Sequence, residues 1–292
     1  MKQIRPNVYS VGAVDWDRRL FDELIPLPEG TTYNAYVVKG SEKIALLDAV
    51  DPAKSETLIG NLVSLGIDKI DYVVAHHAEQ DHSGTIPEIL MLYPGAKVVT
   101  NAKCRAMLID LLHIEEDRFL VVEENTTLPL GGKTLRFINT PWVHWPETMC
   151  TYLEENRILF SCDFFGAHLA ESNLFVANEP LVLEAAKRYY AEIMMPFRPA
   201  IRKNLEKIDA LDIEIIAPSH GPVYDNPRLI VDAYKDWVGD DVKNEVVLAY
   251  VSMHESTQKM ADHLIDALID RGIVVRPFNL TQTDLGKLAI AL

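Results

Sequence analysis

Cysteine is scarce in this chain. Three residues, Cys104, Cys150 and Cys162, are spread over 292 positions with no C-x-x-C pair. That excludes a disulfide framework and a thiolate zinc site, and it fits a reducing, cytoplasmic setting. No run of 18 or more apolar residues occurs, so no membrane-spanning helix is expected. The start, Met1-Lys2-Gln3-Ile4-Arg5-Pro6, lacks the apolar stretch of a signal peptide. Positive charge is also in deficit, with 28 Lys and Arg against 43 Asp and Glu, a net charge of -15. Nucleic acid and anionic lipid, which require Lys and Arg, are poor partners for such a surface. The acidity serves solubility, or it forms a docking surface for a small redox or basic partner.

Against these absences stands one dense segment, His77-Ala78-Glu79-Gln80-Asp81-His82. It places four potential metal ligands in six residues, directly after the apolar run Tyr72-Val73-Val74-Ala75. Ligands at the carboxyl end of a buried strand are held rigidly and face a cleft. Imidazole and carboxylate without thiolate suit Fe, Mn or Zn. Three further candidates, His144, Asp163 and His220, follow β runs or Pro-rich turns. They complete two groups: His77, Glu79 and His144, and Asp81, His82 and His220, with Asp163 left to bridge. Seven ligands exceed the four of a single zinc and suit two metals with open positions. Taken singly, a His at a strand end is often only hydrogen-bonded, and Glu79 or Asp81 alone could cap a helix. The constellation outweighs those readings. His76 is assigned to a supporting position behind the ligands and His113 to a structural one at a helix end, while for His168 a place on the flank or lid of the site is the lesser of two readings.

The rest of the chain alternates short β runs and amphipathic segments. β runs are expected at 8–11, 33–38, 44–48, 72–75, 98–100, 119–122, 135–139, 151–153, 157–161 and 213–217. Helices are expected at 55–65 with Gly66 as its stop, and at 84–92, 102–112, 179–195, 199–210 and 226–238. Two similar halves of this kind predict a layered α/β sandwich. Gly239-Asp240-Asp241 reads as a linker. Beyond it come a strand at 245–251, a polar turn Ser252-Met253-His254-Glu255-Ser256-Thr257, a helix at 258–270 and a strand at 273–278, one βαβ unit with the start of another helix.

The H-x-E-x-D-H run with its downstream His, Asp and His resembles the flavodiiron proteins, or A-type flavoproteins, of the metallo-β-lactamase superfamily. Gly30-Thr31-Thr32-Tyr33-Asn34-Ala35-Tyr36, Asp81-His82-Ser83-Gly84 and Phe165-Gly166-Ala167-His168 carry the same resemblance. The hydrolases of that superfamily have H-x-H-x-D-H and bind zinc, whereas here Glu79 replaces the second His. Three carboxylates, Glu79, Asp81 and Asp163, favour redox iron over Lewis-acid zinc. One departure is His76, where many relatives are expected to have Asn.

The resemblance implies a metallo-β-lactamase-like αβ/βα four-layer sandwich over 1–242, followed over 243–292 by the first βαβ portion of a flavodoxin-like FMN-binding domain. It implies two Fe ions and an oxidoreductase that reduces O2 to water, NO to N2O, or both. Electrons would come through FMN from a rubredoxin or flavoprotein reductase, with a head-to-tail homodimer bringing the flavin of one chain to the metals of the other. The FMN phosphate would lie on Ser252, Met253, His254, Ser256 and Thr257, at a helix N-terminus, although Glu255 opposes it and Ser and Thr at a helix start also serve as caps. A flavodoxin-like domain needs about five strands, so the chain has lost its flavin domain or is part of a longer protein, the second being favoured. Weak or no FMN binding by this chain alone is expected. The competing readings are a zinc-dependent hydrolase on the same fold and a metal-binding remnant without turnover.

Overall fold

The fold, a computed structural model, describes residues 1–21 and 23–292. Strands whose two faces are both apolar build its centre. Along Ile44–Leu47, Tyr72–Val74 and Lys97–Thr100, successive side chains alternate between two separate cores. Leu46, Val73 and Val98 pack outward against helices, while Leu47, Val74 and Val99 pack inward against a second sheet. Strands buried on both faces read as continuous apolar runs, which is how they read in the sequence.

The first sheet has seven strands in the order Lys2–Arg5, Val8–Ser10, Tyr36–Lys39, Ile44–Leu47, Tyr72–Val74, Lys97–Thr100 and Phe119–Val121. The second has five: Thr127–Pro129, Thr134–Asn139, Met149–Leu153, Ile158–Cys162 and Ile215–Pro218. They face each other across a core that includes Tyr36, Val38, Leu47, Phe137, Met149, Phe160 and Ala217. Helices Ser55–Ser64, Ile86–Leu92 and Ala102–Leu112 cover the first sheet through Leu58, Ile89 and Leu108. Helices Glu179–Tyr189, Arg198–Asp209 and Pro227–Trp237 cover the second through Val182, Leu205 and Tyr234. The result is the expected αβ/βα four-layer sandwich.

Strand direction matters most for function. In the first sheet the strands from Ile44–Leu47 onward pair in parallel. In the second, only Ile158–Cys162 and Ile215–Pro218 do so. Parallel neighbours end at the same edge, so the segments leaving Val74, Cys162 and Pro218 are free to gather at one side of the sandwich.

Some expected elements differ in detail. The 33–38 run is two strands, Thr31–Tyr33 and Tyr36–Lys39, in different sheets. The corner is made by Asn34, whose backbone N–H donates to Ser219 O (2.8 Å) and whose Nδ2 donates to Pro218 O (2.9 Å) and Gly221 O (2.8 Å). The helix expected from residue 84 begins at Ile86, and a separate helical turn, Gln80–Ser83, precedes it. The 179–195 helix is regular only to Tyr189. It widens into a π turn at Tyr190–Met194 before Pro196, which has no N–H to offer a further turn.

The C-terminal unit pairs Glu245–Tyr250 with Val274–Asn279 in parallel, with helix Ser256–Ile269 against both strands. Helix Leu285–Ala291 then docks on helix Glu179–Tyr189. Arg188 donates twice to Asp284, at 2.7 and 2.9 Å, and once to Glu192 at 3.1 Å. Gly286 sits so close that a Cβ there would collide with the Arg188 guanidinium.

A buried pair ties the two sheets together near the site. Asp48 accepts from the His76 backbone N–H (2.9 Å) and from its Nδ1 (2.7 Å), and the opposite ring nitrogen lies 2.7 Å from Thr151 Oγ1 in the second sheet. His76 therefore supports the sheet ends and touches none of the candidate ligands' rings. Removing the acceptor of a buried hydrogen-bonded pair leaves its donors unsatisfied and typically costs about 1–3 kcal/mol. Asp48→Ala is expected to destabilise the protein by roughly that amount, read from urea unfolding with an unchanged m-value. A loss below about 1 kcal/mol would show that the pair is not a strut.

Candidate metal centre

The seven side chains singled out by sequence converge. His77 and Glu79 lie in the turn after strand Tyr72–Val74, and Asp81 and His82 are on the short helix Gln80–Ser83. Glu79 occupies that helix's N-cap position but makes no side-chain cap bond, so its carboxylate is free for another task. His144 comes from the loop between Thr134–Asn139 and Met149–Leu153, Asp163 from the residue after Ile158–Cys162, and His220 from just beyond Ile215–Pro218.

Two groups form around one carboxylate. His77 Nε2 is 3.0 Å from Glu79 Oε2 and 3.5 Å from Asp163 Oδ2, and His144 Nε2 is 3.2 and 3.4 Å from the same two oxygens. On the other side, His82 Nε2 is 3.3 Å from Asp81 Oδ1 and 3.0 Å from Asp163 Oδ1. His220 Nε2 is 3.2 Å from Asp81 Oδ2 and 3.4 Å from Asp163 Oδ1. Each oxygen of Asp163 thus serves a different group.

The donor set fits two metal ions. Ligand atoms about 2.1 Å from a common ion are separated by about 3.0 Å at right angles and about 3.4 Å at tetrahedral angles, which is the range seen. Among the described residues, both oxygens of Asp81, both of Asp163 and His82 Nε2 are buried without a hydrogen-bond partner. They are close to one another yet misaligned for N–H···O bonds, as expected of lone pairs aimed at a shared point. Five orphaned polar atoms in one place would be costly unless an ion satisfies them.

Residues around the ligands orient them. His77 Nδ1 donates to Glu147 Oε1 at 2.6 Å, and the Ala78 N–H donates to the same oxygen at 3.1 Å. His220 Nδ1 donates to the Thr32 carbonyl at 2.6 Å. Both bonds leave Nε2 as the metal-facing lone pair. Asn101 caps helix Ala102–Leu112 with its side-chain oxygen and donates from Nδ2 to Glu147 O at 2.6 Å, fixing the loop that carries Glu147. His168, for which a place by the site is the lesser reading of the sequence, lies on its flank. Its ring is 4.8 Å from His220, 4.8 Å from Tyr189 and 5.0 Å from Phe21, and its Nδ1 is 2.9 Å from Thr31 Oγ1. His113 caps helix Ala102–Leu112 in a left-handed conformation, the structural role expected.

Glu147, Thr32, Tyr189 and Trp145, whose ring centre lies 4.8 Å from that of His77 with the two planes nearly perpendicular, were not foreseen. Glu147 follows Trp145-Pro146, three residues after His144, with no local pattern to mark it as buried. The C-terminal turn is less complete. Ser252 Oγ accepts from the Gln258 N–H at 3.1 Å, while Met253, His254, Ser256 and Thr257 are exposed. Helix Ser256–Ile269 begins without a side-chain cap from Glu255.

A family model described as ODP family beta lactamase matches residues 31–221. A nitric oxide reductase of Moorella thermoacetica is 38% identical over 96% of this chain and 72% of its own length. The crystal structure of the flavodiiron protein of Giardia intestinalis matches at a TM-score of 0.93 and 32% identity, over 99% of this chain and 72% of that one. The chain belongs to the flavodiiron family. A further family structure, the rubredoxin oxygen:oxidoreductase of the anaerobe Desulfovibrio gigas, gives a TM-score of 0.94 at 31% identity, over 99% and 74% of the two chains. The metal-binding core of this flavodiiron chain is therefore the four-layer sandwich described above. Among the described residues, no helix is long and apolar enough to cross a membrane.

Charge at the metal-free centre is self-compensating. Burial opposes protonation of the histidines, but the carboxylates outweigh it and hold His77, His82 and His144 at about 9 and His220 at about 10. Burial likewise opposes ionisation of Glu79 and Asp163, and the histidines outweigh that, holding both below the ordinary carboxylate range. His168 goes the other way, since burial and the neighbouring His220 keep it neutral.

A metal ion must displace the histidine protons, so binding to the metal-free protein is expected to release protons at pH 7 and to tighten as pH rises towards 9. Raised histidine values stabilise the metal-free fold fully below about pH 6.5 and are lost as pH climbs through 9 to 10. The Tm of the metal-free protein should fall over that interval, and that of the loaded protein should not. Metal uptake independent of pH between 6 and 9 would contradict the assignment. Among ligand variants, Asp163→Ala is expected to lose both ions, whereas His77→Ala retains about one per chain, because only Asp163 serves both groups. Metal analysis separates the two results.

Proposed function

We propose that this chain is a di-iron oxidoreductase that reduces O2 to water, NO to N2O, or both, with electrons delivered through FMN from a rubredoxin-type or flavoprotein donor. The observation that carries this reading is the Asp163 carboxylate shared between a His77–Glu79–His144 group and an Asp81–His82–His220 group. The relatives named nitric oxide reductase and rubredoxin oxygen:oxidoreductase support it. When bound, a pair of ferrous ions supplies two electrons next to positions a diatomic molecule can take.

The protein residues supply the rest. Glu79, Asp81 and Asp163 place three carboxylates around the pair, offsetting the added charge of the oxidised state. Where a hydrolase of this fold uses an imidazole, Glu79 adds an anionic oxygen, which favours iron over zinc. Glu147 and Thr32 lock the tautomers of His77 and His220. Phe21, Tyr189, His168 and Trp145 pack around the imidazoles and keep water from their outer flanks. Reduction of one O2 to two waters takes four electrons and four protons, and reduction of two NO to N2O and water takes two of each. Electrons must therefore be replenished from outside.

The centre opens on one side. Glu79 and His144 are the most exposed of the paired ligands, at 12% and 14% of their side chains, while His77, Asp81, His82, Asp163 and His220 are at 4% or less. Beside His144, Trp142 is exposed and stacks on Phe197 at 5.8 Å. This apolar rim is suited to receive a flavin, which favours the head-to-tail homodimer. The turn Ser252, Met253, His254, Ser256 and Thr257, at the start of a 14-residue helix, is the place for the FMN phosphate. We assign residues 1–242 to the metal domain, 243–292 to the flavodoxin-like portion, and the protein to the cytoplasm.

The deciding experiment is metal analysis of anaerobically purified protein, followed by O2 and NO consumption with reduced rubredoxin and, separately, chemically reduced FMN. About two irons per chain and consumption of either gas are expected. Zinc at that stoichiometry after iron-supplemented growth, with esterase or nuclease turnover instead, would overturn the reading.

A further inference from the structure

The two halves of the metal centre are chemically alike in their facing ligands but not behind them. His77 Nδ1 donates to a carboxylate oxygen, Glu147 Oε1, at 2.6 Å. His220 Nδ1 donates over the same distance to a neutral backbone carbonyl, that of Thr32. Glu147 is buried, accepts from two N–H donors through Oε1, and has a second oxygen with no partner among the described residues. Among the described residues, its charge is paired only with the His77 ring. On the opposite side, Asp48 lies in the region of His82, but its oxygens are engaged by the His76 N–H and Nδ1. The His77 side therefore has a buried carboxylate bonded directly to a ligand ring, whereas Asp48 is bonded to His76, which is not among the seven ligands, and His220 to a backbone carbonyl.

Resting on the di-iron reading above, we propose that Glu147 is a positioning residue that makes the metal pair electronically unequal, so that the iron held by His77, Glu79 and His144 is oxidised first and reduced last. A carboxylate accepting from the distal N–H of a metal-bound imidazole makes that ring a stronger donor. Buried, the negative charge is weakly screened and acts on the nearer ion more than on the farther one. Both effects favour the ferric state on the His77 side. Any electron given up on that side would be balanced by reduction of O2 or NO, and Glu147 would act on it only through the His77 ring. No bond at Glu147 is made or broken, and the Nδ1 proton stays between His77 and Glu147.

The test uses the iron-loaded 292-residue chain as wild type, Glu147→Gln and Glu147→Ala. The readouts are a redox titration followed by electron paramagnetic resonance of the half-reduced pair, and Mössbauer spectra. Wild type is expected to show two separated one-electron steps and two distinct iron doublets. The Gln variant keeps an acceptor for Nδ1 but removes the charge. It should retain both irons and raise the lower potential by on the order of 59 mV, a tenfold change for one electron, bringing the doublets together. The Ala variant should weaken metal affinity on the His77 side by about 10–100-fold and leave the other doublet in place.

An unchanged separation in an iron-replete Gln variant would overturn the proposal. So would loss of both irons together in the Ala variant. A wild-type chain that accepts only zinc would instead overturn the di-iron reading itself, which distinguishes the two failures.

Discussion

A single carboxylate, that of Asp163, decides what the rest of this fold has to do. One of its oxygens faces His77 and His144, the other His82 and His220. For that to hold, segments from two different sheets must end at the same edge and in register. The parallel pairing of Ile158–Cys162 with Ile215–Pro218, and of Tyr72–Val74 with its neighbours, satisfies the requirement. The inter-sheet core and the Asp48–His76–Thr151 link hold the two sheets at a fixed separation. A shared ligand tolerates little relative motion of its supports, and this explains why so much buried polar structure surrounds it.

Polar burial here divides into two kinds. Asp48 with His76, and Asn34 with the Pro218–Gly221 turn, are satisfied within the protein and serve the scaffold. The oxygens of Asp81 and Asp163 have no hydrogen-bond partner among the described residues. Buried oxygens left converging on one point, at a cost in stability, mark a binding site. The raised histidines and depressed carboxylates are the metal-free version of the same compensation, with protons standing in for metal charge.

Legibility in the sequence followed chain proximity. His77, Glu79, Asp81 and His82 were legible because six contiguous residues carry the whole cluster, and His144, Asp163 and His220 because each follows a β run or a Pro-rich turn. The strands buried on both faces were equally plain, since their apolar runs are continuous. Glu147 was not legible, because its partner His77 is 70 positions away and nothing local marks a carboxylate as buried. Thr32 acts through its backbone carbonyl, which no side-chain pattern can reveal. The corner at Asn34 escaped detection for a related reason. The alternation of Tyr33 to Val38 looks like one strand, and the break is imposed by the distant Pro218–Gly221 turn.

Helix Glu179–Tyr189 has two adjacent residues with separate duties. Arg188 grips Asp284 at the head of the last helix, and Tyr189 lies against the His168 ring beside His220. The two contacts share one rigid rod, and the π turn that follows is its only departure from regular winding before Pro196. A shift of the last helix would therefore bear, one residue along, on the aromatic wall beside His220.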